Sequence, residues 1–575
     1  MIRLFKHLRP YAAAVAGVLI LVYFQSLSEL YLPTLMSDIV NNGIVKGDTQ
    51  YIYRTGGYML LVALGGTVCA VIAGYLASRT GTGFARDLRS KVFNRVENYS
   101  LDEFDKIGTA SLITRTTNDI TQMQQLVTMM LRIMVSAPMM CIGGILMAVR
   151  KDASLSRIIA VIIPILAIVI FIVANRAVPL FKAMQKKLDK LNLVFREGLT
   201  GIRVIRAFNR IDHETKRFDA ANLDLTSTAV KVNRMMASMM PLMMLILNFS
   251  TIAIIWYGGQ RIDQAQMQVG DLMAFIQYVM QIMFSFIMVS MIFVMVPRAS
   301  ASAVRINEVL DTAPTITDPE QPVHGGEQRG HVEFRNVSFS YAGAEQPALS
   351  EISFAANPGE VTAIIGGTGS GKSTLISLIP RFYDVSSGTI LIDGVDLRSM
   401  SQADLRSRIG FVPQTALLFS GTIAENIRYG KEDATDEEVR QAAEIAQATE
   451  FISAMPDGFN SQIAQGGTNV SGGQKQRLSI ARALVRRPEI YVFDDSFSAL
   501  DFKTDAKLRA ALRRETADAT VIIVAQRVST VMDADRIIVL DEGQVAGIGT
   551  HRVLMNNCEV YREIVSSQLS EEEIA

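Results

Sequence analysis

Residues Gly366-Gly367-Thr368-Gly369-Ser370-Gly371-Lys372-Ser373 have the spacing Gly-x-x-x-x-Gly-Lys-Ser, with Thr374 directly after. Glycines in this pattern let successive backbone N–H groups wrap the oxygens of a polyphosphate. The lysine reaches the β and γ phosphates, and the serine hydroxyl is placed to hold Mg²⁺. A second chemical group follows at Asp494, where the apolar run Ile490–Phe493 ends in a carboxylate. A carboxylate at a strand end can hold Mg²⁺ directly or through water. Between them, Ser471-Gly472-Gly473-Gln474 opens a helical pattern. The backbone donors at a helix start form an anion site. That second anion site has no use beside its own phosphate loop. It has one if it covers a nucleotide held by another copy of the domain. The three groups together predict a Mg²⁺–ATP site.

These residues need a parallel sheet to stand on. Val361–Ile365 is an apolar run that feeds the glycine loop, and strand-like runs alternate with helical ones over 331–575. The pattern predicts an α/β P-loop ATPase domain with a helical subdomain. A segment rich in Pro, Gly and charge, 311–330, reads as a linker. Three cysteines in 575 residues are too few and too scattered for a disulfide framework or a zinc site.

Residues 1–310 are a different kind of body. Uncharged runs near 11–34, 55–78, 127–149, 158–175, 235–260 and 272–297 are long enough to cross hydrocarbon. The first is not expected to be a cleaved signal, because it is too long and Glu29 follows it. Over the whole chain 56 basic residues balance 56 acidic ones, yet residues 1–310 carry 32 basic and 19 acidic, and the remainder carries 24 and 37. The N-terminus, 79–126, 176–234 and 298–310 hold 25 of the 32 basic residues. By the positive-inside rule these segments and the ATPase domain face the cytoplasm. Arg150, Lys151 and Arg157 crowd a short external loop against this trend. The apolar positions Leu180, Met184, Leu188, Leu191, Val194 and Leu199 recur at helical spacing, so the inner loops are expected to be long helical extensions of the spans.

Polar groups within or near the spans are Gln25, Glu29, Asn248, Gln277 and Gln281, candidates for the lining of a cavity. Glu29 has three open readings: balancing a cationic ligand, pairing with a basic residue such as Arg132, or sitting at the membrane edge. Of 28 methionines, 24 lie in the first 300 residues, with Met235–Met244 and Met273–Met295 crowding the last two spans. They suit a soft apolar wall that repacks around different ligands, and equally suit interhelical filling.

With these motifs in place, the chain resembles an ABC transporter half-subunit of the exporter type, six membrane helices fused to one nucleotide-binding domain. The resemblance implies that Tyr341, in VSFSY, stacks on adenine. It implies that Gln414, in FVPQ, senses Mg²⁺ and the membrane domain, and that Ser471–Gln474 is the signature. Asp501, in SALD, would belong to the D-loop. Segments near 104–118 and 210–219 would be the coupling helices, and the setting would be a bacterial cell membrane.

Two departures from the family pattern stand out. Asp495 follows the Walker B aspartate where the family has Glu, and Gln526 stands where it has the switch His. The Asp carboxylate is about 1 Å short of the position that polarises the attacking water, and a displacement of that size costs about 100-fold. Gln cannot be protonated, so it offers the γ phosphate no charge-assisted contact. With an intact signature, these departures imply a heterodimer in which this chain carries a degenerate site and completes its partner's. The substrate class implied is amphipathic, drug-like or lipid-like. A slow homodimer, an exporter-fold importer and an ATP-gated channel are the competing expectations. The six spans exclude a soluble DNA-linked ATPase.

Overall fold

The computed structural model describes residues 1–324 and 329–569. Positions 325–328 of the expected linker lie outside the described residues, as does the side chain of Met291. The chain forms two compact units. The first joins Met1–Glu97 to Ala110–Thr312, and the second joins Asn98–Thr109 to the residues from Ala313 onward. The division departs from chain order at one place, since Asn98–Thr109 belongs with the ATPase unit.

The first unit is built on α1 (Ala12–Asp38) and α2 (Thr49–Glu97). A short tip helix, α3 (Leu101–Ile107), precedes α4 (Ile120–Lys151) and α5 (Ser156–Thr200). A second tip helix, α6 (Ile202–Ala207), precedes α7 (Ile211–Asp263) and α8 (Val269–Asp311). Six of these helices are long and apolar enough to cross a membrane. Their lengths exceed that task. The 49 residues of α2 reach roughly 74 Å at 1.5 Å per residue, more than twice a hydrocarbon core of about 30 Å. The excess forms the helical extensions expected from the inner loops. The second tip lies at Ile202–Ala207, ahead of the expected 210–219, which instead begins the long α7. The physical reason is Gly201, which ends α5 and starts the tip in one position.

Glycine sets the closeness of the bundle at one seam. A Cβ on Gly144 of α4 would stand 2.8 Å from Ile282 Cγ1 of α8, so a larger residue there would force the helices apart. The same two helices are pinned at both ends by charge. At one end a π-turn, Arg115–Asp119, aims the buried Asp119 at Ser302 (2.8 Å) and Arg305 Nε (2.7 Å). At the other end Lys151 Nζ donates to Asp271 Oδ1 (2.8 Å) and to Ser37 Oγ of α1 (3.0 Å). Arg261 of α7 meets Asp152 at 2.8 Å. The basic cluster that ran against the charge trend is therefore partly explained, because Lys151 is a structural cation held by α8.

In the second unit, β1 (Val332–Phe339), β2 (Leu349–Ala356), β4 (Ser387–Ile392) and β5 (Val395–Asp396) form an antiparallel sheet in the order β2-β1-β4-β5. The central sheet comprises β3 (Val361–Gly366), β6 (Ile409–Val412), β9 (Ile490–Asp494), β10 (Thr520–Val524), β11 (Arg536–Asp541) and β12 (Gln544–Gly549). Its order is β12-β11-β3-β10-β9-β6. A short pair, β7 (Gly421–Thr422) with β8 (Gln462–Ile463), sits in the helical subdomain. The central strands are almost wholly apolar because both faces are covered. Along β3, Ala363 and Ile365 join the core on one face, and Ile364 joins the core on the other.

The Lys151–Asp271 pin is open to a direct test. Replacing Lys151 by Met leaves Asp271 without its cation in a half-buried position and is expected to cost about 1–2 kcal/mol. Exchanging the two charges, Lys151→Asp with Asp271→Lys, should recover most of the loss in thermal unfolding of the detergent-solubilised protein.

Candidate ATP-binding site

Register brings the site together. Parallel pairing sets Val524 of β10 opposite Ile364 of β3 and opposite Asp494 of β9, and Gly366 pairs with Leu540 of β11. The carboxyl ends of these strands therefore share one edge, the usual place for a ligand in an open α/β sheet. The glycine loop leaves β3 at that edge and enters the helix Lys372–Ser377. Gly369 and Gly371 take φ of +84° and +93°, a region open to glycine and strained for a side chain. A Cβ on Gly371 would also meet Leu349 at 2.7 Å. Thr368 stands between Gly367 and Gly369, and a Cβ on either glycine would meet nothing within 4 Å, so the crest of the loop is open for a ligand.

Lys372 is buried and folded back on its own loop. Its ammonium donates to the carbonyls of Gly366 (2.9 Å) and Gly367 (2.6 Å) and lies 3.4 Å from Ser370 Oγ. Burial pushes it below the usual lysine range, while Asp495 and Asp494 pull the other way. Ser373 Oγ donates to Asp494 Oδ1 at 3.1 Å. Burial raises the Asp494 carboxyl, and the Ser373 hydrogen bond opposes that rise. A hydroxyl and a carboxylate this close are hard oxygen donors, a set that fits Mg²⁺. A divalent cation would also favour the charged form that burial disfavours.

Asp495 follows with a left-handed backbone, φ 44°, and its N–H donates to Val524 O at 2.9 Å. Gln526 leaves the end of β10 with an exposed side chain. Asp494, Asp495 and Gln526 thus share the edge that carries the glycine loop. Gln414 is exposed after β6, and its carbonyl accepts from Gln476 Nε2 at 3.3 Å.

Tyr341 presents an exposed ring beside the loop, with its hydroxyl 2.9 Å from Thr374 Oγ1. Ser471 and Gln474 cap the helix Gly472–Leu484 reciprocally: Gln474 N–H donates to Ser471 Oγ (3.3 Å), and Ser471 N–H donates to Gln474 Oε1 (2.9 Å). Gly472 is exposed, and a Cβ on Gly473 would stand 3.1 Å from the carbonyl of Ala499, so this helix start lies against the SALD segment. Asp501 caps the next helix by accepting from Thr504 N–H at 2.9 Å, which holds its carboxyl below the usual range.

Sequence reasoning missed several residues around this site. Tyr383 stacks edge-on to Tyr341, with ring centroids 5.5 Å apart, and its hydroxyl donates to Asp105 of α3 at 3.5 Å. Burial, with Asp105 beside it, pushes the Tyr383 phenol up to about 12, so it remains a donor at neutral pH. The same tip is held by Glu103. That carboxylate accepts from Ser100 N–H (2.8 Å), from Thr315 N–H (3.1 Å) and from the Thr315 hydroxyl. Burial opposes the charge of Glu103, but the hydrogen bonds from Ser100 and Thr315 outweigh it and keep the carboxyl below its usual range. At the other end, one amide clasps the segment after β10: Gln568 accepts from Val528 N–H (2.9 Å) and donates to Gln526 O (2.8 Å). The aromatic RFYD run was the available signal for Tyr383. The Ser100-x-x-Glu103 spacing of a capping box was the local signal for Glu103, whereas no local pattern marked its bond to Thr315 or marked Gln568, because those partners are distant in sequence.

Comparison with known proteins agrees with this geometry. The ABC transporter transmembrane region matches residues 15–286, and the ABC transporter domain matches residues 349–498. The chain is 46% identical over 567 residues to an uncharacterized ABC transporter ATP-binding protein of Mycobacterium tuberculosis (strain CDC 1551 / Oshkosh), covering 98% of this chain and 97% of that one. It is 31% identical over 575 residues to the putative multidrug export ATP-binding/permease protein YgaD of Bacillus subtilis (strain 168), covering 99% of each. The solved structure of a bacterial Atm1-family ABC exporter with ATP bound superposes with a TM-score of 0.81 at 26% identity, over 97% of this chain and 99% of that one. The chain belongs to the ABC transporters. It is an exporter-type half-transporter, a multi-pass membrane unit fused to one ATPase domain, and proteins of this kind act as dimers.

Two outcomes follow. Lys372→Ala should weaken ATP binding roughly 10- to 100-fold, measured with a fluorescent nucleotide. Tyr383→Phe keeps the ring beside Tyr341 and removes only the bond to Asp105. ATP affinity should hold while substrate-stimulated ATPase falls about two- to tenfold.

Proposed function

We propose that this chain is the degenerate-site half of a heterodimeric exporter that moves amphipathic compounds out across a bacterial cell membrane. The observation that carries the reading is the pair Asp495 and Gln526 at the sheet edge beside Asp494. Asp495 sits on a left-handed backbone, which Asp tolerates better than most residues. Its carboxylate remains one methylene short for aligning water, and the Gln526 amide brings no positive charge to the γ phosphate. Binding functions are all provided. Tyr341 offers a face to adenine, and the loop Gly366–Gly371 with Thr374 offers backbone and hydroxyl donors. Lys372 would leave its loop carbonyls for the phosphates, and Ser373 and Asp494, with Gln414, would hold Mg²⁺. The ion would supply positive charge to the phosphates.

ATP therefore binds well at this site and is cleaved slowly. Ser471, Gly472, Gly473 and Gln474, with Asp501 behind them, complete a site on a different chain that carries the consensus Glu and His. Closure of the two ATPase domains turns the cavity outward, and hydrolysis at the partner's site resets it. The YgaD resemblance supports multidrug-type substrates, as do the methionine-rich α7 and α8.

Purification from the native membrane should bring down a second, different half-transporter. A lone homodimer with brisk ATPase would overturn the reading. In the complex with the partner's hydrolytic site silenced, Asp495→Glu with Gln526→His should raise residual ATPase about 100-fold. Inside-out vesicles should accumulate substrate uphill only with ATP; passive equilibration would mark a gate instead.

A further inference from the structure

The five polar groups of the membrane unit do not stay together. Asn248 and Gln277 have exposed side chains. Gln25, Glu29 and Gln281 meet on the seam of α1 and α8. Gln25 Nε2 donates to Glu29 Oε1 (2.9 Å), and Gln281 Nε2 donates to the Glu29 backbone carbonyl (2.9 Å). One turn further, the buried Tyr278 hydroxyl bonds to the Leu30 carbonyl (3.2 Å) and to Thr34 Oγ1 (2.6 Å). Among the described residues three side-chain acceptors of the seam have no hydrogen-bond partner: Gln25 Oε1, Glu29 Oε2 and Gln281 Oε1, the last of them buried. Glu29 Oε2 has no ion-pair partner among the described residues either. Arg132 of α4, the candidate counter-charge, is exposed and makes no ion pair with Glu29.

Glu29 lies nine residues before the end of α1, about 14 Å along the helix, inside a segment long and apolar enough to cross a membrane. A carboxylate there and a buried acceptor beside it are both costly unless a donor meets them. No basic side chain among the described residues does so. The geometry points to a recognition site for a substrate that carries a primary ammonium or guanidinium group. The positive charge lies against Glu29 Oε2, and one N–H is donated to Gln281 Oε1. A quaternary ammonium would satisfy the charge and not the amide; an alcohol would satisfy the amide and not the charge. The apolar remainder has a surface to lie on. Met273, Met280, Phe284 and Met288 of α8 are exposed at helical spacing on the face bordering Gln281, and methionine adapts to varied apolar shapes. The inference rests on reading the membrane unit as the substrate-carrying part, and it names the substrate's head group.

The test uses the transporter purified with whatever chain accompanies it, in lipid nanodiscs without nucleotide. Three fluorescent probes share a dansyl-octyl body and end in a primary ammonium, a trimethylammonium or a hydroxyl. The ammonium probe should bind most tightly and the alcohol least. Glu29→Gln should weaken the ammonium probe about tenfold and leave the alcohol unchanged. Gln281→Leu should abolish the gap between the primary and quaternary probes while the preference for charge persists. Equal losses for all three probes in Glu29→Gln, or no ranking in the parent protein, would overturn the site. If Glu29→Gln fails to elute as a single species, the Gln281→Leu result and the ranking in the parent protein decide alone. Without nucleotide present, failure here leaves the ATP-site reading intact, and a homodimeric complex would fail that reading without touching this one.

Discussion

A charge withdrawn from water must be met by another group, and this requirement organises both units of the protein. Asp119 is buried because Ser302 and Arg305 reach it. Lys151 leaves solvent because Asp271 and Ser37 receive it. Lys372 is tolerated inside the phosphate loop because two carbonyls accept from it. The same rule gives the departures meaning. Lys372 is held by weak, neutral acceptors that a polyphosphate would outcompete, and among the described residues the Glu29 carboxylate is held by one amide alone. Sites of structure and sites of function differ here in how well their charges are satisfied.

The ATPase unit shows how a sheet converts distant sequence into a site. Gly366, Asp494 and Gln526 are far apart in the chain, and only parallel register sets them on one edge. The strands must be apolar on both faces to hold that register, and they are. The tyrosine beside the phosphate loop is similarly placed by packing. Tyr341 rests against Tyr383, whose hydroxyl reaches the tip helix Leu101–Ile107, so Tyr341 and the tip share one buried side chain.

Much of this was legible in the chain itself. Phosphate loops, strand-end carboxylates and capped helix starts depend on contiguous residues, so Gly366–Thr374, Asp494 and Ser471–Gln474 announce their chemistry locally. Membrane spans are legible for a similar reason, because hydrocarbon imposes one composition on some twenty successive residues. Gln25 and Glu29 were legible as a polar break, one helical turn apart. Their association with Gln281, and the separation of Asn248 and Gln277 from them, was not, since helix rotation within a bundle is set by packing.

The amino-acid sequence determined the two-unit plan, the six spans, the ATP motifs and the two substitutions, Asp495 and Gln526, because each is written in neighbouring residues or in composition. The tertiary structure alone decided that Asn98–Thr109 belongs with the ATPase unit, that Lys151 is a structural cation, that Gln568 clasps the segment after β10, and that Glu29 has no counter-charge among the described residues. Those four facts depend on pairings between residues far apart in the chain. Such pairings follow from which faces of helices and strands can be buried together, a balance of packing and charge that no local pattern records.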